Sequence, residues 1–379
     1  MSNYTINMYG VTDDDYALFN VAKEVLPEAD GWQTATYMSN PSTYEWWYFD
    51  ITNDDGSVIT GAISPYPNDG FVPSNNMDSG FLKFSYEKEG ITRTETVTFP
   101  FTEFSAATDS LDVQAGPVTM RGDLETMTIV GNVNGIELNV VFKQQAMPFR
   151  PGNGYVLIGS DSLERWRGWF NAYPKAAVTG TLTLDGGEPR QVNGSGYHDH
   201  NYGTVTAAEA TVGWLWARAV CGKYCILTVR QKYRQKYEGD IVNRVLWIYD
   251  LEKGEEIVRS IDGNGISVCE GIFKQHPDPL HGGGYPTQTL YQYWVGDNKA
   301  EVILSDFAVL DGYFPYDIHD AAAQRFLSEN SVNGLYYTRR NTTVSLKLDM
   351  PELNITNNAE GTALHELQES YFPQYSFDK

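Results

Sequence analysis

The sequence predicts an all-β protein of two domains. Three observations carry that prediction: paired strand-like runs around tight-turn residues, little helical periodicity, and length. Residues 127–133 and 136–142 flank Asn134-Gly135, residues 178–184 and 191–197 flank Asp185-Gly186-Gly187, and runs at Ile51 and Val58 flank Asp54-Asp55-Gly56. Asn, Asp and Gly accept the left-handed backbone of a tight turn, so each pair reads as an antiparallel hairpin. The rhythm continues at 223–232, 244–250, 265–272, 290–295, 301–310 and 343–348, and short strands at this spacing build sandwiches or barrels. Helical stripes are confined to 17–26, stopped by Pro27, to 163–170, and to 318–328, where Ala321, Ala322, Phe326 and Leu327 share a face. A chain of 379 residues exceeds a single domain of about 100 to 200 residues. Turn residues cluster from 147 to Pro174, which places an N-terminal domain at 1–174 and a C-terminal domain at 175–379.

Composition narrows the partners. A formal charge of −22 repels nucleic acid and anionic membrane surfaces, and no run approaches the roughly 18 apolar residues of a membrane span. With no basic, apolar leader in residues 1–30, the expected location is the cytoplasm, with no stable membrane insertion and no nucleic acid partner. Cys221, Cys225 and Cys269 are too few for a disulfide framework and lack zinc-site spacing, so they read as reduced, buried thiols. Nine Trp, 25 Tyr and 17 Phe suit either the wall of a pocket for a large hydrophobic small molecule or aromatic strands packed on one another.

Three constellations could carry chemistry. Gly196-Tyr197-His198-Asp199-His200-Asn201-Tyr202-Gly203 holds two of six histidines around a carboxylate. Read as a strand, its period of two puts His198 and His200 on one face and Tyr197 and Asp199 on the other. In Tyr44-Glu45-Trp46-Trp47-Tyr48-Phe49-Asp50, Glu45, Trp47 and Phe49 share one face, while Trp46, Tyr48 and Asp50 share the other. Burial beside an indole disfavours carboxylate charge, which suits a proton donor; Asp50 could equally open the following turn, and Glu45 could reach solvent. Trp214-Leu215-Trp216-Ala217-Arg218 sets Trp214, Trp216 and Arg218 in one row, either to orient a carbonyl or as a structural cation–π plug. Asp317 reads as the N-cap of the 318–328 helix, and His276, His281 and His365 read as surface residues. No third ligand accompanies His198 and His200, so no metal is expected; a hydrogen-bonded histidine pair pinning a barrel mouth is the alternative.

Together, Glu45-Trp46-Trp47-Tyr48-Phe49-Asp50, the strand at Ala177-Val178-Thr179-Gly180, the His198 segment and Trp214-Leu215-Trp216-Ala217-Arg218, in this order, make the chain resemble the hydroxyneurosporene synthase (carotenoid 1,2-hydratase) and AttH-like family. The resemblance spans about 43–224 by motif; Tyr202 stands where that family usually carries Trp. It implies two tandem lipocalin-like β-barrels and cofactor-free chemistry on hydrophobic substrates: hydration of an isoprenoid double bond, action on prenylated phenolics, or, in distant relatives, Diels-Alder cyclisation of polyenes. The leading expectation is acid-initiated alkene hydration, with Asp199 as acid, Glu45 or Asp50 as second candidates, and His198 or His200 positioning and deprotonating water. Trp47, Tyr197, Tyr202, Trp214, Trp216 and Arg218 are the expected substrate contacts. A pericyclic cyclase and a carrier without turnover are the alternatives; oligomeric state stays open.

Overall fold

A computed structural model of the chain describes residues 6–67, 70–74, 77–159, 164–234, 242–261, 265–270, 273–275, 284–313, 321–329 and 336–369. The chain divides into two compact units, Met1–Ala207 and Ala208–Lys379. That division lies beyond Pro174. The long strands Trp166–Leu184 and Arg190–Gly203 are laced into the first unit, because one pairs with Ile136–Gln144 and the other with Tyr44–Asn53.

The first unit is a 13-stranded antiparallel sheet. Its main path runs Ile91–Pro100, Ser79–Lys88, Val58–Ser64, Tyr44–Asn53, Arg190–Gly203, Trp166–Leu184, Ile136–Gln144, Thr126–Val133, Val118–Gly122, Leu111–Ala115, Phe104–Ala106. Ser79–Lys88 packs across the interior on Leu111–Ala115, Thr126–Val133 and Ile136–Gln144, so the sheet curls into a nearly closed barrel. The second unit repeats the plan with nine strands: Glu255–Ser260, Val242–Asp250, Tyr224–Tyr233, Thr211–Cys221, Ile355–Glu369, Tyr336–Met350, Asn298–Tyr313, Gln288–Val295, Ile266–Glu270. Its ends meet where Val242–Asp250 packs on Ile266–Glu270.

The hairpins form where turn chemistry demands them. Val133 pairs with Ile136 across Asn134 and Gly135, whose φ values of 46° and 90° are those of a two-residue turn. The first barrel is filled: Trp47, Phe49, Phe84, Phe99, Phe142 and Tyr173 belong to one continuous buried cluster, which absorbs many of the aromatic residues. Cys221 and Cys225 are buried, and burial pushes the Cys221 thiol up to about 12.

Helical content is smaller than the sequence suggests. In place of a helix at 17–26 there is a short one at Asp13–Leu18. A Thr12/Asp15 capping box starts it, and Asn20, at φ 52°, turns the chain away. Residues 164–170 are not helical: from Trp166 onward they are strand, in register with 200–203 through Phe170↔His200 and Arg167↔Gly203. The third stripe is helical over Ala321–Glu329; Asp317 and His319, like His276 and His281, lie outside the described residues. No described helix is long and apolar enough to cross a membrane.

Candidate functional site

The centre of the first barrel wall is the pair Tyr44–Asn53 and Arg190–Gly203, in the register His198↔Phe49, His200↔Trp47 and Tyr202↔Glu45. Strand alternation sends these six side chains inward, and Tyr197, Asp199, Tyr48 and Asp50 to the opposite face. On the other side of Arg190–Gly203, the ladder with Trp166–Leu184 is irregular between Phe170 and Ala176. Pro174 sits in that irregular stretch, where a missing N–H is tolerated. The pairing is therefore broken directly beside His198 and His200, which frees the sheet to bend there.

On the inner face four ionisable groups interleave. The turn Pro27–Asp30 carries Asp30 to the barrel, and the Trp47 indole N–H fixes it by donating to the Asp30 carbonyl at 3.0 Å. His198 Nε2 lies 2.9 Å from Asp30 Oδ2, and His200 Nδ1 lies 3.4 Å from Asp30 Oδ1. His200 Nε2 lies 2.8 Å from Glu45 Oε1. Glu45 also accepts the backbone N–H groups of Gln33 and Thr34, each at 2.9 Å, and the Thr34 hydroxyl. Tyr66 OH closes the chain at 2.7 Å from that hydroxyl. His198, His200 and Glu45 are 0% exposed and Asp30 1%.

The proton positions follow from the partners. His198 Nδ1 is 2.7 Å from the Tyr48 carbonyl, which can only accept, so Nδ1 carries a hydrogen. Burial alone would push the His198 imidazole down, but the charge and hydrogen bond of Asp30, the Tyr48 carbonyl and Asp199 outweigh it and hold it above the ordinary histidine range. His198 thus presents Nδ1–H to a carbonyl and Nε2 to a carboxylate that favours its protonated form. Trp47 stacks on His200 at 4.6 Å, and Tyr202 meets it edge-on at 4.8 Å.

The opposite face carries a second acid. Asp199 Oδ2 accepts from Tyr197 OH at 2.7 Å and from the Trp169 indole at 2.9 Å, while Oδ1 accepts from Asn201 at 3.0 Å. Burial and the Asp199 charge push the Tyr197 phenol well above its usual range, so it stays a donor. Tyr48 OH reaches Asp50 at 3.2 Å, and Asp50 is fully buried within its strand, neither opening the turn nor reaching water. Glu45 likewise does not reach solvent.

The structure therefore joins His198, His200, Glu45, Trp47 and Tyr202 in one cluster, and Tyr197 with Asp199 in another across the strand. Trp214, Trp216 and Arg218 lie in Thr211–Cys221 of the second unit, on the face opposite the core residues Ala217, Ala219 and Cys221. Asp30, Thr34 and Trp169 escaped the sequence reading, because their partners stand between 11 and 168 positions away and no local spacing announces them. His365 is a correction: it is fully buried, inside the second unit. A cleft of about 390 Å³, mouth included, is lined by apolar and polar residues alike, among them Val21, Leu26, Gln33, Arg150, Tyr155 and Tyr202, and reaches the inner cluster through Gln33. Among the described residues no group of three or more His, Cys, Asp and Glu is arranged to hold a metal ion.

No family model matches the chain. Hydroxyneurosporene dehydrogenase of Chlorobaculum tepidum is 26% identical over 215 residues, 47% of this chain; the match spans about half of that protein, 54%. Among solved structures, an AttH protein of Nitrosomonas europaea superposes with TM-score 0.58 at 12% identity, covering 87% of this chain and 93% of that one. CghA in complex with Sch210972 gives 0.60 at 12% identity, covering 97% and 98%. Kievitone hydratase of Nectria haematococca gives 0.55 at 13% identity, covering 92% and 94%. The two-barrel fold is shared with all three, and the resemblance read from the motifs holds in sequence with the Chlorobaculum protein.

Proposed function

We infer that this chain is a cofactor-independent enzyme of isoprenoid or secondary metabolism that hydrates an alkene in a hydrophobic polyene or prenylated small molecule. The observation that carries the reading is Asp199: a carboxyl group 6% exposed, beside an indole and a phenol, on a strand braced from behind by the buried histidine–carboxylate cluster. The fold likeness to kievitone hydratase supports the same reaction class. Oδ2 accepts from Tyr197 and Trp169 and Oδ1 from Asn201, which fixes the carboxyl group on this face of the strand.

Once it has taken up a proton, Asp199 gives it to the double bond, leaving a tertiary carbocation. Water adds to that carbon, and its surplus proton returns to the Asp199 carboxylate, so the net change is addition of water. Aromatic faces stabilise the cation by their quadrupole. Asp50 is the second candidate acid on this face. Glu45, His198 and His200 point into the barrel, on the face away from Asp199, with both His198 nitrogens, His200 Nε2 and the Glu45 carboxylate engaged by protein groups, so they act as positioning residues rather than on the water. Trp47 and Tyr202 pack His200, and Trp214, Trp216 and Arg218 are candidate substrate contacts on their own unit.

The test is turnover of a prenylated phenol or linear polyene in heavy-oxygen water. Labelled oxygen in the product, and a loss of about 10²–10⁴-fold in kcat for Asp199→Asn, are expected; full turnover by Asp199→Asn removes that residue from the mechanism. A second reading, pericyclic cyclisation, draws on the donors at this face, Tyr197 OH above all, and on the fold shared with CghA. It predicts a product of unchanged mass and tolerance of Asp199→Asn. Recovery of ligand unchanged would indicate a carrier.

A further inference from the structure

The inner face of the second barrel changes character along its length. Ala219, Ile226, Ile248, Val302 and Leu346 form an apolar floor. One turn of the ladder further, the same face becomes polar, and several of its polar atoms are buried with no protein partner among the described residues: Thr228 Oγ1, Thr289 Oγ1, Thr338 Oγ1, Arg244 Nε and His365 Nε2. Thr289, Thr338 and His365 are 0% exposed and Thr228 1%. Leaving such groups dry costs about 1–3 kcal/mol each, and buried polar atoms are normally paired with protein, water or ligand. Five on one interior face mark a place built to hold something polar.

The chemistry of the ligand follows from what each atom can offer. Asp306 is bound by Arg340 and accepts the Thr342 hydroxyl at 2.6 Å; His365 Nδ1 lies 2.9 Å from the same Oδ1. Although burial alone would raise the Asp306 carboxyl, His365, Arg340 and Thr342 hold it below the ordinary range, as an anion. Burial and the Arg340 charge press the His365 imidazole down, more than Asp306 lifts it. The ring is therefore neutral, with its hydrogen on Nδ1 toward Asp306, and Nε2 is a bare acceptor that calls for an O–H. Arg244 stands directly opposite Arg230. Burial and that like charge push the Arg244 guanidinium down, so its end of the face favours an anion. Register sets the span: His365 is opposite Ala217, Ala217 opposite Thr228, and Arg244 lies one strand beyond Thr228 and two residues along, opposite Arg230. At about 4.8 Å per strand and about 3.3 Å per residue, the His365 and Arg244 backbones are roughly 16 Å apart, a gap that the imidazole and the long guanidinium side chain narrow from both ends.

We propose that the polar end of the second barrel is a binding site for a small hydroxy acid, whose hydroxyl donates to His365 Nε2 and whose carboxylate lies at Arg244. Thr228 and Thr338 hydroxyls line its sides, and Asp306 is the positioning residue that fixes the imidazole. The site lies wholly within the second unit and is independent of Asp199.

The test uses the full chain with 4-hydroxybenzoate as probe and benzoate as its hydroxyl-free control. 4-Hydroxybenzoate should bind about tenfold more tightly than benzoate, the worth of roughly 1.4 kcal/mol, and should shift the nitrogen resonance of His365 Nε2. His365→Asn retains an amide donor for Asp306 but, being shorter, places no acceptor at the Nε2 position; it should weaken 4-hydroxybenzoate to the level of benzoate and leave benzoate unchanged. Arg244→Met should weaken both. Equal affinity of the two acids for the unaltered protein, absence of binding, or an unmoved His365 resonance overturns the proposal, and none of these outcomes depends on a variant folding.

Discussion

Each barrel encloses a histidine against a carboxylate, and the two histidines are shifted in opposite directions from the ordinary range. In the first, His198 sits with Asp30, with Glu45 and a second imidazole near by and, among the described residues, no arginine hydrogen-bonded to the cluster; it is held above the ordinary histidine range. In the second, Asp306 is shared with Arg340, and His365 is pressed below that range. Both rings are fully buried, so burial alone does not separate them. What separates them is the guanidinium: the Arg340 charge beside His365 opposes a second cation and claims part of Asp306, whereas the charges acting on His198 are those of Asp30 and Asp199.

The largest break in this comparison is Arg340→Met. Removing one partner of a buried ion pair costs about 3–5 kcal/mol, read by chemical denaturation. It should also raise His365 toward the range of His198, visible in its nitrogen resonances; a His365 that stays neutral would show that burial, not Arg340, holds it there. Asp30→Asn is the converse test. His198 loses its anion while keeping the Tyr48 carbonyl, and at about 1.5–3 kcal/mol for a charged hydrogen bond the cost is smaller. His198 should then titrate below the ordinary range.

pH separates the two clusters by sign. For His198 the folded value is raised, so its stabilisation is complete below the unfolded value of about 6.5 and is lost as pH rises through the folded one. For His365 the folded value is depressed, so the unfolded chain binds the extra proton. Stability is lost as pH falls from about 6.5 toward the folded value. Denaturation profiles between about pH 5 and 8, compared with those of His198→Asn and His365→Asn, should therefore differ from the parent in opposite directions; profiles that move together would contradict both assignments.

The sequence made the scaffold of this comparison visible and hid its partners. Alternation along 44–50 and 196–203 correctly divided inward from outward side chains, because period two is a property of the strand alone. The hairpins at Asn134-Gly135 and Asp185-Gly186 were legible for the same local reason. Asp30 was not, since it meets His198 across 168 positions through a turn rather than a strand. His365 looked exposed from its place near the end of the chain, but its strand, Ile355–Glu369, is central, paired on both sides by Thr211–Cys221 and Tyr336–Met350. Residues 164–170 failed in another way: their spacing suits a helix, and only the ladder to 200–203 makes them strand.

The finest test of the charge argument leaves burial untouched. Thr342 donates to Asp306 Oδ1, the oxygen that His365 Nδ1 also faces, so Thr342→Val removes a neutral donor without adding or removing charge. Stability should fall by about 0.5–1.5 kcal/mol. The His365 titration should move upward, because Asp306 has one donor fewer to share its charge with. It should not reach protonation at neutral pH while Arg340 remains, since the guanidinium both claims the carboxylate and repels a second cation. A titration of His365 unchanged in Thr342→Val, measured beside Arg340→Met, would mean that Arg340 acts on the ring directly and that the state of Asp306 is a bystander. A full crossover would mean that the hydroxyl, and not the arginine, sets the difference between the two barrels.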